Sequence, residues 1–575
     1  MQTIPTKTVL LATLLLASGS AVAKITIDGV DSELESNIRA YASLEGEPCD
    51  APVWLIRRRY RTLEREAREA LEPFGYYSPR IASTLSFGES CWSVKLEIEA
   101  GEPVRYRNVT IGVEGEAMSD PAFGRLIDPA PFSPGDTVRH SAFDNLKRSL
   151  QVVAADRGYV DAEFSEATLS IWPDEGVADA SLRMNSGSRY VVGEIRVEQD
   201  FLQPELVTGY LRALQPGKPY DSADLNLAFR ALSDSGYFGR IDVSPVFDEA
   251  ADGRIPIHVG LTRGNRVEYT VGVGISTDTG LRFRAGYRNN HLNEKGHRII
   301  ADLGVSPVVQ GLTAEYRIPL KDPRREWFSF TGAVSAEQTD TFESDLQRLG
   351  VRLTRALSET WLRTYSLDFS NESFTVGEDI DTRRSIVPGV AFDHKLADRD
   401  IFPRNGRRLG VEFRGTDRFL GSQMSFLRTA AWARWIRAFG EDNRLLLRFN
   451  AGILTTEEFD RLPPTERFFA GGDQSVRGFD YESLGPTDEE GNVIGGRRLL
   501  VGSIEYERHL WGNFYGAVFV DAGNAFNDND FEPEVGAGPG LKWISPLGPI
   551  RAYIGVPLTG EDSSVRFHLR LGADL

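Results

Sequence analysis

From Asn265 to the C-terminus, apolar and polar residues alternate with a period of two. In "VEYTVGVGIS", Val267, Tyr269, Val271, Val273 and Ile275 alternate with Glu268, Thr270, Gly272, Gly274 and Ser276. In "SVRFHLRLGADL", Val565, Phe567, Leu569 and Leu571 alternate with Arg566, His568 and Arg570. A strand of this kind shows one face to an apolar medium and the other to a polar one. Strand-like runs start near residues 265, 280, 297, 310, 326, 345, 360, 383, 406, 423, 443, 497, 514, 534, 549 and 564, sixteen in all. That leaves about 19 residues per strand and connection, enough for tilted membrane strands of about 9–11 residues. Alternation alone also suits a soluble β-sandwich.

The connections separate these readings. An even strand count puts both ends of the sheet on one side, and the connections on that side are short: "KDPRRE", "AFGEDN", "LWGN" and "SPLGP". The longest connection, about 455–497, falls on the opposite side, the asymmetry expected of an outer-membrane barrel.

Before Gly264 the period changes. "REAREALEPFGYYSPRI", "LKRSLQVVAADRGYVDAEF" and "LNLAFRALSDSGYFGRIDV" each show helical spacing, then a Gly-aromatic pair, then a strand pattern. Their glycines, Gly75, Gly158 and Gly236, lie 83 and 78 residues apart. Each glycine can end its helix in the left-handed conformation, and the tyrosine after it is expected to begin a strand. A second marker closes each unit, "WSVKLEIEAG" to Gly101, "ADASLRMNSG" to Gly187 and "IPIHVGLTRG" to Gly264. The unit therefore reads strand, helix, helix, strand, strand. These repeats resemble polypeptide-transport-associated (POTRA) domains, at 24–101, 102–187 and 188–264, with the barrel occupying 265–575. A small sheet covered by two helices leaves an edge to which an extended peptide can add.

Composition narrows the compartment. Residues 1–23 carry Lys7, an apolar run from Val9 to Ala17 and Ala21-Val22-Ala23, the pattern of a signal peptide. No other stretch approaches the roughly 20 apolar residues of a membrane helix, so membrane embedding must use strands. A net charge of −18 argues against nucleic acid as a partner. The two cysteines, Cys49 and Cys91, are candidates for a disulfide in an oxidising compartment, with a pair of buried thiols as the alternative. There is no H-E-x-x-H, no G-x-S-x-G and no Cys/His cluster, so the reading assigns no catalytic residue, metal or cofactor.

The long connection carries "RFFAGGDQSVRGFDY", where Phe468, Phe469, Val476 and Phe479 surround glycines. Exposed, these side chains would be an aggregation hazard, so the loop is expected to fold into the lumen. Arg477 then needs acceptors there. By strand alternation Glu505, in "GSIEYE", and Asp521, in "FVDAGNAF", point inward from the next two strands. Arg477, with Gly478 and Phe479, thus reads as a latch on Glu505 and Asp521. The first and last strands, near 265–277 and 564–574, hold Gly272, Gly274 and Gly572, residues that weaken pairing and mark a candidate seam.

"RFFAGGDQSVRGF", "GSIEYE", "AVFVDAGNAF" and "SPLGPIRAYIGVPL" resemble the corresponding segments of the TamA (translocation and assembly module) group in the BamA-like outer-membrane assembly superfamily. The resemblance implies an outer-membrane protein with periplasmic POTRA units and no enzymatic activity. It implies an insertase for unfolded autotransporter-like or other outer-membrane clients, acting through the seam in the lipid bilayer. It also implies a TamB-like inner-membrane-anchored partner on the POTRA units and a role in phospholipid transport. The rival readings are a two-partner-type secretion pore and a passive outer-membrane channel.

Overall fold

The computed structural model describes residues 24–89, 91–276, 279–377, 379–399, 401–528, 530–545, 548–560 and 565–571. The proposed signal peptide at 1–23 and Gly572 lie outside the described residues. The chain divides into two compact units, and the division runs through the third repeat. One unit holds the chain to Ile195 with Gln215–Asp224 and Pro245–Ile257; the other holds Arg196–Leu214, Leu225–Ser244 and everything from His258.

In the first unit, β1 (Lys24–Asp28), α1 (Ser32–Tyr41), α2 (Val53–Leu71), β2 (Arg80–Phe87) and β3 (Trp92–Glu99) form the first repeat. Asp31 caps α1 by accepting from the N–H groups of Glu33 and Leu34 at 3.0 and 2.9 Å. Alternation in β3 buries Trp92, Val94, Leu96 and Ile98 against Ile56, Leu63, Ala67 and Leu71 of α2. Strand β3 is central, parallel to β1 and antiparallel to β2. Cys49 and Cys91 are bonded, tying the segment before α2 to the start of β3.

The second repeat reproduces the order with β4 (Arg105–Glu114), α3 (Pro121–Ile127), α4 (His140–Asp156), β5 (Glu163–Trp172) and β6 (Val177–Asn185), its sheet running β4-β6-β5. The third has β7 (Val191–Glu198), α5 (Pro204–Tyr210), α6 (Ser222–Ser235), β8 (Phe238–Pro245) and β9 (Arg254–Arg263). Gly75, Gly158 and Gly236 take φ values of 92°, 82° and 72°, where other residues are strained. The tyrosines after them do not begin strands. In the first two repeats the strand starts five residues after the glycine. Tyr159 is instead buried beside Phe123, with ring centroids 5.5 Å apart. An aromatic reads as a strand former by propensity, but here tertiary packing takes it into the core.

Among the described residues the second unit carries sixteen antiparallel strands in sequential order, from β10 (Val267–Ser276) to β25 (Arg566–Leu571). The outward face is apolar, with Tyr269, Val271 and Val273 exposed by 74, 73 and 72%. The inward face is polar and carries Ser503, Glu505, Glu507 and Asp521, all buried. The residues between β20 (Asn443–Thr455) and β21 (Arg498–Trp511) turn back into the lumen. Phe468 packs there with Met424, Phe426, Leu454 and Phe459, while Phe469 lies 5.1 Å from the Phe342 ring.

Candidate functional site

The lumenal loop is pinned at Arg477, which is 4% exposed. Its Nε and Nη2 donate to Asp521 Oδ2 and Oδ1 at 2.7 and 2.8 Å, a bidentate pair. Nη1 donates to Glu505 Oε2 at 2.7 Å and Nη2 to Ser503 Oγ at 3.2 Å. The backbone N–H of Arg477 donates to Asp521 Oδ2 at 3.0 Å. Glu505 and Ser503 lie on β21, and Asp521 lies on β22 (Phe514–Phe526), where Ser503 faces Asp521 directly. Strand alternation places these groups on one inward face, two residues apart on β21.

Aromatic rings complete the socket. The guanidinium carbon lies 3.5 Å from the Phe519 centroid and 4.6 Å from that of Tyr553, whose hydroxyl donates to Glu505 Oε1 at 2.7 Å. Burial alone would weaken the hold of Arg477 on its proton. Asp521 and Glu505 outweigh that effect and raise its pKa, so the guanidinium stays charged.

The floor beneath the motif is made of glycine. A Cβ on Gly536, in β23 (Glu534–Ser545), would sit 1.8 Å from the Arg477 carbonyl oxygen. One on Gly555, in β24 (Gly548–Pro557), would sit 2.7 Å from the Gly478 nitrogen. Gly478 itself has φ 102° and runs against Val556 and Pro557. Phe479 is buried with Val476, Ala470 and Val501. Sequence reasoning missed Tyr553, Gly536 and Gly555. The signal for the floor was the spacing of Gly536, Gly538 and Gly540, which puts three glycines on one face of a strand.

A second buried charge group lies two residues along β21. Glu507 faces Arg444 at 3.0 Å and also pairs with Lys542. It too went unread in the sequence, because nothing local distinguishes Glu507 from an ordinary lumenal carboxylate.

The sheet ends at β10 and β25. Their Cα atoms approach within 8 Å, yet no backbone ladder joins them among the described residues. Strand β25 pairs with β24 over six positions, Ile550–Leu571 to Gly555–Arg566. Gly272 and Gly274 do not approach a neighbour closely enough to require glycine: an added Cβ would meet only Arg284 Cβ at 4.0 Å in the first case and nothing within 4 Å in the second.

A family model described as the Omp85 superfamily domain matches residues 261–574, and one described as POTRA domain TamA domain 1 matches residues 24–100. The outer membrane protein assembly factor BamA of Nitratidesulfovibrio vulgaris is 24% identical over 506 residues, covering 82% of this chain and 62% of the relative. The protein of the same description from Neisseria meningitidis serogroup B is 23% identical over 570 residues, covering 87% of this chain and 70% of the relative. The chain thus spans less than two thirds of the first relative's length. Among solved structures, BamA from Haemophilus ducreyi lacking POTRA domains 1-3 superposes with a TM-score of 0.64 at 16% identity, over 82% of this chain and 99% of that one. This last likeness is one of fold.

Proposed function

The chain belongs to the Omp85 superfamily, and from that premise we propose that it is an outer-membrane insertase that assembles β-barrel clients at the seam between β10 and β25. The observation that carries this reading is the meeting of two strand edges with no ladder between them among the described residues. An unpaired amide in hydrocarbon costs several kcal/mol, so an incoming strand needs an edge on which to satisfy its backbone. A seam whose edges are adjacent but unpaired supplies that template at the depth where water cannot.

In this reading the protein resides in the outer membrane with its repeats in the periplasm, and it performs no bond chemistry. Arg477 acts as a latch: with Glu505 and Asp521 it holds the loop inside the lumen while the seam works. The repeats receive extended clients and a periplasmic partner. The match of the first repeat to a TamA-type domain favours autotransporter-like clients and a TamB-like inner-membrane-anchored partner, with phospholipid as a second cargo.

The test reconstitutes the full chain in liposomes and follows folding of an autotransporter barrel by protease protection, beside Arg477→Ala. Faster protection with the wild type than with empty vesicles, reduced in the variant, supports both insertase and latch. Equal acceleration by both proteins removes the latch. No acceleration by either removes unaided insertion, and ion conductance through the same vesicles then tests the pore reading.

A further inference from the structure

The segment after Arg477 reaches the last strand. The Gly478 N–H donates to His568 Nε2 at 3.2 Å, and Asp480 pairs with Arg566. The two contacts are in register. Moving two residues forward along the loop, from 478 to 480, moves two residues back along β25, from 568 to 566. The loop therefore lies antiparallel to the inner face of β25, as a neighbouring strand would, but it holds that strand through side chains. His568 is buried, and its Nε2 accepts from the Gly478 N–H.

Among the described residues, strand β25 runs over Arg566–Leu571 and its ladder is with β24. Phe479, between the two contacts, is buried in a cluster with Ala470, Val476 and, from β21, Val501. Arg477 meanwhile ties the same loop to β21 and β22. The tip thus joins the seam strand to wall strands three and four positions away in the sheet.

We propose that residues 478–480 form a bolt on the last strand, with Asp480, Arg566 and His568 as positioning residues that hold β25 in register at the seam. The inference rests on the insertase reading for its purpose, though not for its geometry. A client strand pairing with β25 competes with the bolt, so release of Asp480 from Arg566 is the step that frees the strand.

The experiment measures amide hydrogen exchange of the full chain in lipid nanodiscs without client. Asp480→Arg and Arg566→Asp are each expected to speed exchange in 566–571 by about fivefold to tenfold, and Asp480→Asn to speed it less. The double variant Asp480→Arg with Arg566→Asp restores the pair with reversed sign, and exchange is expected to return towards the wild-type rate. Gel mobility of unheated samples confirms that each barrel is folded, and Asp480→Asn serves as the readout if a reversal does not fold. Wild-type exchange in Asp480→Asn and the foldable reversals overturns the bolt. So does a double variant that exchanges as fast as the single ones. Because no client is present, failure of liposome insertion leaves this result intact, and failure of charge-swap rescue leaves the insertase reading intact.

Discussion

Arg477 directs its side-chain donors to Asp521, Glu505 and Ser503, which makes the socket specific for a planar fork. Arg477→Ala strands two carboxylates in a buried site and is expected to lower barrel stability by about 3–5 kcal/mol, read as the urea midpoint of the heat-modifiable gel band. Arg477→Lys keeps one charge but loses the bidentate geometry, and its midpoint is expected between the two. Gly536→Ala tests the floor without touching a charge: its methyl group would meet the Arg477 carbonyl, so a stability loss of about 1–3 kcal/mol, read from the same midpoint, is expected. The arginine and its two carboxylates were legible because a buried charge demands partners and alternation says which side chains point inward. Tyr553 was not legible, because its place depends on how β24 closes over β22.

Among the repeats, helix α3 shows how one carboxylate organises an element. Asp120 accepts from the Ala122 N–H at 3.0 Å as the N-cap and receives Arg157 Nε at 3.0 Å. Arg157 also reaches Asp221 at 2.6 Å, which links the second repeat to the first unit's part of the third. Burial pushes the Asp120 pKa up, but the Ala122 N–H and the charge on Arg157 outweigh it, and the net shift is downward. Its stabilising contribution is therefore complete above the unfolded value of about 3.9 and is lost as pH falls through the lower folded value. Circular dichroism of the folded repeats is expected to show acid unfolding below about pH 4, and Asp120→Asn should flatten that dependence. Asp120→Ala removes cap and ion pair together, for an expected loss of roughly 2–4 kcal/mol at neutral pH. Replacing Cys49 and Cys91 by serine is expected to cost the first repeat about 4 kcal/mol on the chain-entropy estimate, measured by thermal melting. The repeat order was legible from two glycine markers. The strand starts after Tyr76 and Tyr159 were not, because burial of the second ring overrode its strand propensity.

For the barrel and its loop together, the insertase reading requires the seam to move. Cysteine pairs placed along β10 and β25 are expected to crosslink on oxidation, since the strands are neighbours. The crosslink should abolish acceleration of client insertion and reduction should restore it, measured by protease protection in liposomes. Insertion that continues at the uncrosslinked rate would place the client elsewhere on the molecule.

The sixteen strands, the repeat order and the inward faces of β21 and β22 followed from the sequence by itself, because a period of two, a period of 3.6 and a helix-ending glycine are properties of neighbouring residues. The tertiary structure alone decided that β10 and β25 approach each other with no ladder among the described residues, that Gly536 and Gly555 form the floor of the arginine site, and that Gly478 and Asp480 face His568 and Arg566. Those last partners stand 90 and 86 residues apart in the chain. Their meeting depends on how the sheet curves and how deeply the loop descends, and no local pattern of side chains encodes either.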